Sequence, residues 1–269
     1  MNLHGKQILK MKKFLRELLG PRQIEEVELA RRALGRFSGV VVDVGAHHGL
    51  AISPFLETGW IGFAIEPDPD NRVMLKANCP VLTIDPRAVA EVDGQTVSLF
   101  TSKVSSGIST LSAFHASHKV TATVETVRLD TFLQQHQVSE VDFLKIDIEG
   151  YDLFALRSFP WATHRPKIIV CEFEDKKTIP LGYDVISMAQ FIKEKGYEVV
   201  VSEWEPIVEY GQQHTWKRFT KALETVNKES WGNLIAVLPD FTEDLDRECL
   251  RTLRRLRLRH RVDHLRGYQ

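Results

Sequence analysis

Two short apolar runs in this chain each lead into an acidic residue. Val40-Val41-Val42-Asp43-Val44 opens into Gly45-Ala46-His47-His48-Gly49, and Ile61-Gly62-Phe63-Ala64-Ile65 ends at Glu66-Pro67. Such runs read as parallel strands covered on both faces. Open α/β sheets bind ligands just beyond the carboxyl ends of their strands. Gly45 and Gly49 let the backbone come close to a ligand. Glu66, 23 positions after Asp43, is placed to accept both hydroxyls of a ribose. The turn lacks the Gly-x-Gly-x-x-Gly spacing that seats a pyrophosphate on a helix N-terminus. Asp43, directly before it, would repel a pyrophosphate and suits an ammonium. A ribose with a cationic amino-acid tail describes S-adenosylmethionine. The plainer reading of the glycines alone is a tight turn that closes a strand–helix junction.

A second constellation is Asp142-Phe143-Leu144-Lys145-Ile146-Asp147-Ile148-Glu149-Gly150. Period-two spacing would point Asp147 and Glu149 the same way at the end of a strand. The run Lys167-Ile168-Ile169-Val170-Cys171-Glu172-Phe173-Glu174-Asp175 again ends in acids, and Glu172 is expected near Asp147. Burying like charges together is costly unless a cation, a metal or a shared proton compensates. A sulfonium cofactor with an α-ammonium offers that compensation, so Asp147 also counts as a candidate cofactor contact.

Alternating elements must position these residues. Strands are predicted at about 40–44, 61–65, 80–84, 96–101, 123–128, 141–147, 167–173, 197–202 and 233–238. Helices are predicted at about 6–19, 22–35, 50–58, 69–77, 130–136, 152–158 and 184–195. Strand–helix alternation of this kind predicts an α/β fold with a parallel sheet and helices on both faces. The simplest division is a helical extension over 1–37, a single α/β domain over 38–240 and a basic helical tail over 241–269. In that tail, residues 247–266 carry eight arginines against two acids. It reads as a helix with a solvated basic face, or as a docking element for an anionic lipid surface or an acidic partner. Lys6, Lys10, Lys12, Lys13 and Arg16 would add to the same field if the chain ends lie together.

Composition excludes several classes. The chain has 269 residues, 43% hydrophobic and 26% charged, with a net charge of -1, so no global field draws it to nucleic acid. Three scattered cysteines, Cys79, Cys171 and Cys249, make neither a disulfide framework nor a zinc site. No run approaches the ~20 apolar residues of a membrane span. A reducing cytoplasm is the expected compartment, with a peripheral position at the inner membrane face if the basic tail docks there.

The motifs together resemble the FkbM family of S-adenosylmethionine-dependent methyltransferases, within the Rossmann-like class I methyltransferase fold. The matching segments are Val42-Asp43-Val44-Gly45-Ala46, Ile65-Glu66-Pro67-Asp68-Pro69, Thr126-Val127-Arg128-Leu129-Asp130-Thr131-Phe132 and Lys145-Ile146-Asp147-Ile148-Glu149-Gly150. They run in the family's order over about half the chain. The family's usual Asn after the Gly-Ala pair is His47 here, while Asp152 supplies its acidic residue two positions after Glu-Gly. The resemblance implies methyl transfer mainly to hydroxyl oxygens, often of sugars. It places Asp43, Gly45, Ala46 and Gly49 at the methionine end of the cofactor and Glu66 on the ribose. Asp85 reads either as a contact to the adenine amino group or as a turn residue.

An alcohol is a weak nucleophile while protonated, so a positioned base matters. Asp147 or Glu149, with Glu172 beside them, are candidates. So is His115, or His118, in the polar stretch 102–122, whose length suits a substrate lid. A divalent metal, magnesium above all, is the other way to acidify a hydroxyl; Asp147, Glu149 and Glu172 offer hard oxygen ligands. Trp204 and Trp216, among acids and amides, suit stacking on a carbohydrate acceptor or ordinary packing. Lys217 and Arg218 beside them would meet a charged glycan or a lipid phosphate. Competing readings are a methyltransferase of an amine or a non-sugar molecule, a nicotinamide oxidoreductase and a non-catalytic binding module.

Overall fold

Val40–Val44, Ile61–Ile65 and Phe143–Ile146 are adjacent parallel strands in register, with Val44 beside both Ile65 and Ile146. A computed structural model describes residues 24–35 and 38–265. In chain order the elements begin with α1 (Glu26–Leu34), β1 (Val40–Val44), α2 (Ser53–Leu56), β2 (Ile61–Ile65), α3 (Pro69–Asn78) and β3 (Thr83–Asp85). Next come β4 (Ala88–Val89), β5 (Thr96–Thr101), β6 (Lys119–Val127), α4 (Leu129–Gln135), β7 (Phe143–Ile146) and α5 (Asp152–Ser158). The chain continues through β8 (Ile168–Glu174), α6 (Asp175–Thr178), α7 (Val185–Glu194), β9 (Glu198–Trp204), β10 (Trp216–Thr220), β11 (Trp231–Val237) and α8 (Thr242–Leu265). The helix expected at 6–19, with its lysines, lies outside the described residues.

The main sheet runs β10-β9-β11-β8-β7-β1-β2-β3. From β3 to β8 all neighbours are parallel. β11 then inserts antiparallel to both β8 and β9, so the sheet is mostly rather than wholly parallel. The α/β fold is as expected. Two strands were not expected: β4 is only two residues long, and β10 hides behind the polar pair Lys217-Arg218. β6 begins at Lys119 and pairs with β5 and β4 in a separate three-stranded sheet. That pairing shortens the polar stretch to 102–118.

Strand alternation divides the interior into two cores. Val42, Val44, Leu144, Ile146, Ile169 and Cys171 face one side, where Phe132 of α4, Leu156 of α5 and Met188 of α7 cover them. Val41, Phe143, Ile168, Val170 and Ile235 face the other side, covered by Leu29, Ala30 and Ala33 of α1 and by Leu245 and Cys249 of α8. α1 and the first turns of α8 are therefore layers of the domain, although they fall in the segments read as its extensions. A buried acid reinforces the junction. Glu26 accepts from Ser202 Oγ at 2.7 Å and Trp204 Nε1 at 2.8 Å, and burial pushes its carboxyl above the usual range.

Beyond Thr252 the exposed arginines, including Arg254 and Arg257, face outward. Among the described residues no helix is long and apolar enough to cross a membrane. Because Leu245 is fully buried, Leu245→Ala is expected to cost about 2–5 kcal/mol in urea unfolding. Arg254→Ala, on the exposed face of the same helix, should stay within about 0.5 kcal/mol.

Candidate active site

The loops following β1, β2 and β7 meet at one edge of the sheet and enclose a cavity of about 300 Å³, at the lower end of the ~300–1,000 Å³ typical of ligand pockets. Gly45, Ala46, His47, Glu66, Asp147 and Tyr151 are among its walls. Part of the remaining cover is the strap between β5 and β6, through Ser106, Gly107, Ser109, Thr110 and Leu111, beside Asn71 of α3, Ala88 and Val89 of β4 and Leu99 of β5. Ser109 Oγ donates to Asp68 at 3.1 Å, His47 Nε2 lies 2.8 Å from Ser106 Oγ, and Thr110 Oγ1 donates to the Glu149 carbonyl at 3.0 Å. The polar stretch read as a lid thus lies over the cavity.

Glu66 is the best-formed ligand group. It follows β2, and its two oxygens accept the backbone N–H of His47 at 2.7 Å and of Asp68 at 2.9 Å. Both bonds fix the carboxylate, and the Asn71 side chain adds a further hydrogen bond to it. Burial pushes its pKa up to about 6, against the lowering effect of those bonds. Gly45 has φ +79, and a Cβ there would lie 1.9 Å from the Asp147 carbonyl oxygen. Its close approach is to the next loop, and no side chain fits. Gly49 does not line the cavity; a Cβ there would meet Leu75 and Cys79, so it serves packing between the turn and α3. Ala46 does line the cavity.

Asp43 and Asp85 stand elsewhere than the sequence suggested. Asp43 is fully buried beneath the turn and does not line the cavity. Lys145 Nζ occupies the place expected for a ligand ammonium, 3.0 Å from the Asp43 carboxylate and 3.1 Å from the Gly45 carbonyl. Asp85 is engaged by Arg87 at 2.6 Å and His136 at 3.3 Å. These hold its carboxyl below the usual range despite burial, and the residue ends β3 as a structural anchor. Lys145 was discernible in the sequence as a charge inside a buried strand, but its partner lies 102 positions away.

Asp147, Glu149 and Glu172 do come together, with carboxylate oxygens within 4.8 Å of one another. Period two is not the cause. β7 stops at Ile146, and Glu149 turns inward because its backbone is left-handed, at φ +57. Asp147 lines the cavity with its side chain 40% exposed, 3.5 Å from Lys145. Glu149 and Glu172 are buried behind it. Their compensating charge is Lys177, from α6, whose side chain is 1% exposed. Its Nζ bonds Glu149, lies 3.1 Å from Glu172 and 2.8 Å from Glu174. Burial raises the Glu149 pKa to about 7 even with Lys177 beside it, and pushes the Glu172 and Asp152 carboxyls well above the usual range. Of these acids, Glu149 therefore changes protonation near neutral pH.

Phe114 and Tyr210 close over Lys177, with ring centroids 5.0 and 5.8 Å from Nζ. His115 does not reach the cavity: its Nδ1 lies 2.6 Å from Ser117 Oγ and its ring packs edge-on to Tyr210. His118 Nε2 bonds the Ile108 carbonyl at 2.9 Å and braces the strap. Trp204 and Trp216 also lie outside the cavity walls. Trp204 donates to Glu26, and Trp216 donates to Ser202 at 3.0 Å, so both serve packing. Lys217 and Arg218 are taken up by Glu203, at 2.9 and 2.6 Å.

A mostly parallel sheet with reversed strands toward one edge, and a cavity beyond the carboxyl ends of its parallel strands, is a Rossmann-like arrangement. Residues 43–199 match the Methyltransferase FkbM domain, more than half of the chain, and the chain belongs to that family. It is an S-adenosylmethionine-dependent methyltransferase. No curated protein matches the chain significantly. Among solved structures, an O-methyltransferase from Bacillus cereus in complex with SAH is similar at 11% identity, over 87% of this chain and 89% of that one, with a TM-score of 0.42. A TehB-like SAM-dependent methyltransferase from Corynebacterium glutamicum is similar at 11% identity over 87% and 98%, with a TM-score of 0.41. Magnesium protoporphyrin IX methyltransferase from Synechocystis, with bound SAM, is similar at 10% identity over 83% and 89%, with a TM-score of 0.42. At these scores the likenesses add nothing to the site.

The Glu66 geometry has a pH signature. Ribose hydroxyls donate best to an ionised carboxylate, and Glu66 becomes neutral below about pH 6. The Kd of S-adenosylhomocysteine, measured by calorimetry, is expected to stay level above about pH 7. It should rise by up to about tenfold per unit of pH below 6. Glu66→Gln should bind more weakly and remove that slope; an unchanged slope in the variant would place the titration elsewhere.

Proposed function

We propose that this enzyme methylates a hydroxyl oxygen, most simply of a glycan or glycoconjugate. The observation that carries the reading is the position of Asp147: a carboxylate open to the cavity, 3.5 Å from Lys145, with Glu149 and Glu172 buried behind it. A hydroxyl acceptor needs such a group, because its proton must leave as the carbon–oxygen bond forms. When bound, S-adenosylmethionine supplies a methyl carbon already activated by a sulfonium leaving group. Glu66 would hold the ribose, the Gly45-Ala46-His47 turn would flank the methionine end, and the strap would exclude water. Asp147 receives the acceptor proton at its carboxylate, and Lys145 keeps that carboxylate oriented.

Sugar specificity is supported by the family resemblance and by the polar groups of Thr110, Tyr151 and Asp147 at the cavity. The outward arginines of α8 suit contact with an anionic lipid surface or an acidic partner, which would bring the enzyme to membrane-linked acceptors. Magnesium does not fit the acid cluster as it stands. Lys177 already occupies the space between Glu149 and Glu172, so a divalent ion would have to displace it.

Incubation with labelled S-adenosylmethionine and fractionated glycans, followed by mass spectrometry, should yield a product heavier by one O-methyl group. Label appearing only in amines would overturn the hydroxyl assignment, and no transfer to any fraction would favour a binding module. Asp147→Asn is expected to lower kcat by about 10²–10⁴-fold while keeping affinity for S-adenosylhomocysteine. Lost affinity with kcat retained would assign Asp147 to the cofactor instead.

A further inference from the structure

We infer that Lys177 is a positioning residue for methyl transfer, an internal cation that holds the acceptor-side carboxylates in place where a bound metal ion would otherwise be needed. The inference rests on the hydroxyl-methylation reading given above. Its geometry is specific. Glu149 comes from the loop after β7, Glu172 and Glu174 come from β8, and Lys177 comes from the helix that follows. The ammonium touches all three carboxylates. Glu149 and Glu172 are two of the three residues whose oxygens, with Asp147, converge as a hard-cation site would. Tyr210 donates to Glu174 at 2.9 Å and, with Phe114, shields the ammonium from solvent.

An ammonium and a hydrated divalent ion are alternative answers to one problem. Carboxylates gathered in a dry site repel one another and are costly to bury until positive charge lies among them. Lys177 supplies that charge from the chain itself. It draws Glu149 and Glu172 inward and leaves Asp147, held by Lys145, as the carboxylate that faces the acceptor. Without the ammonium the same oxygens become an uncompensated acidic pocket. Such a pocket has two outlets: it spreads apart and misplaces Asp147, or it captures a cation.

Two arms test this. In the wild type, EDTA should leave methyl transfer unchanged, and terbium titration should give no saturable luminescence sensitised by the nearby tyrosines. Lys177→Met should keep S-adenosylhomocysteine affinity and lower kcat by roughly 10–100-fold, the usual size of losses from supporting residues around a site. The same variant should acquire saturable terbium binding and regain part of its turnover in magnesium. Should Lys177→Met fail to fold, the paired change Lys177→Met with Glu174→Gln removes one acid along with the ammonium and is read the same way. EDTA inhibition or saturable terbium binding in the wild type overturns the inference, as does full turnover in a folded Lys177→Met enzyme. If the wild type transfers no methyl group, the functional reading fails; terbium uptake confined to the variant would still support Lys177 as the resident cation.

Discussion

One buried ammonium ties together the acid cluster beside the cavity. Lys177 joins the loop after β7 to the end of β8 through Glu149, Glu172 and Glu174. Two aromatic rings from otherwise separate segments close over it. Breaking a buried ion pair by removing one partner costs about 3–5 kcal/mol, because the remaining charge is stranded. The three carboxylates and the lysine therefore stand or fall as a unit. Burial also pushes the Glu149 and Glu172 carboxyls above the usual range, even with the ammonium among them.

A second lysine does comparable work on the cofactor side. Lys145 bridges Asp43, the Gly45 carbonyl and Asp147, so the glycine turn and the cavity carboxylate share one anchor. Gly45 lets these loops approach until only backbone fits between them. The strap adds a third wall, through hydrogen bonds to Asp68, His47 and Glu149. The cavity is thus a product of converging loops on a rigid sheet, whose two cores leave no freedom in strand register.

The fold was largely legible because buried parallel strands are long apolar runs and their helices repeat on a different period. Glu66 was legible for a related reason: a carboxylate directly after the second strand can only stand at the ligand edge. β10 and the reversed direction of β11 were not, since strand direction is decided by which neighbour offers a free edge. Trp204 and Trp216 fitted sugar stacking or ordinary packing, and their N–H groups belong to the junction around Glu26 and Ser202. Asp85 could have been an adenine contact or a turn residue, and Arg87 and His136 claim it.

Local pattern alone determined the parallel strands of the sheet, their ligand edge and the acidic character of the site, because period, strand ends and residue types are properties of neighbours in the chain. Counter-charge was decided only in three dimensions. Asp43 was read as awaiting a ligand's ammonium, and its true partner lies on β7. Nothing in Asp175-Lys176-Lys177 sets Lys177 apart from its neighbour, and α6 folds it under Phe114 and Tyr210. An ion pair forms wherever the folded chain brings opposite charges into a dry space, and no spacing along the chain records that meeting.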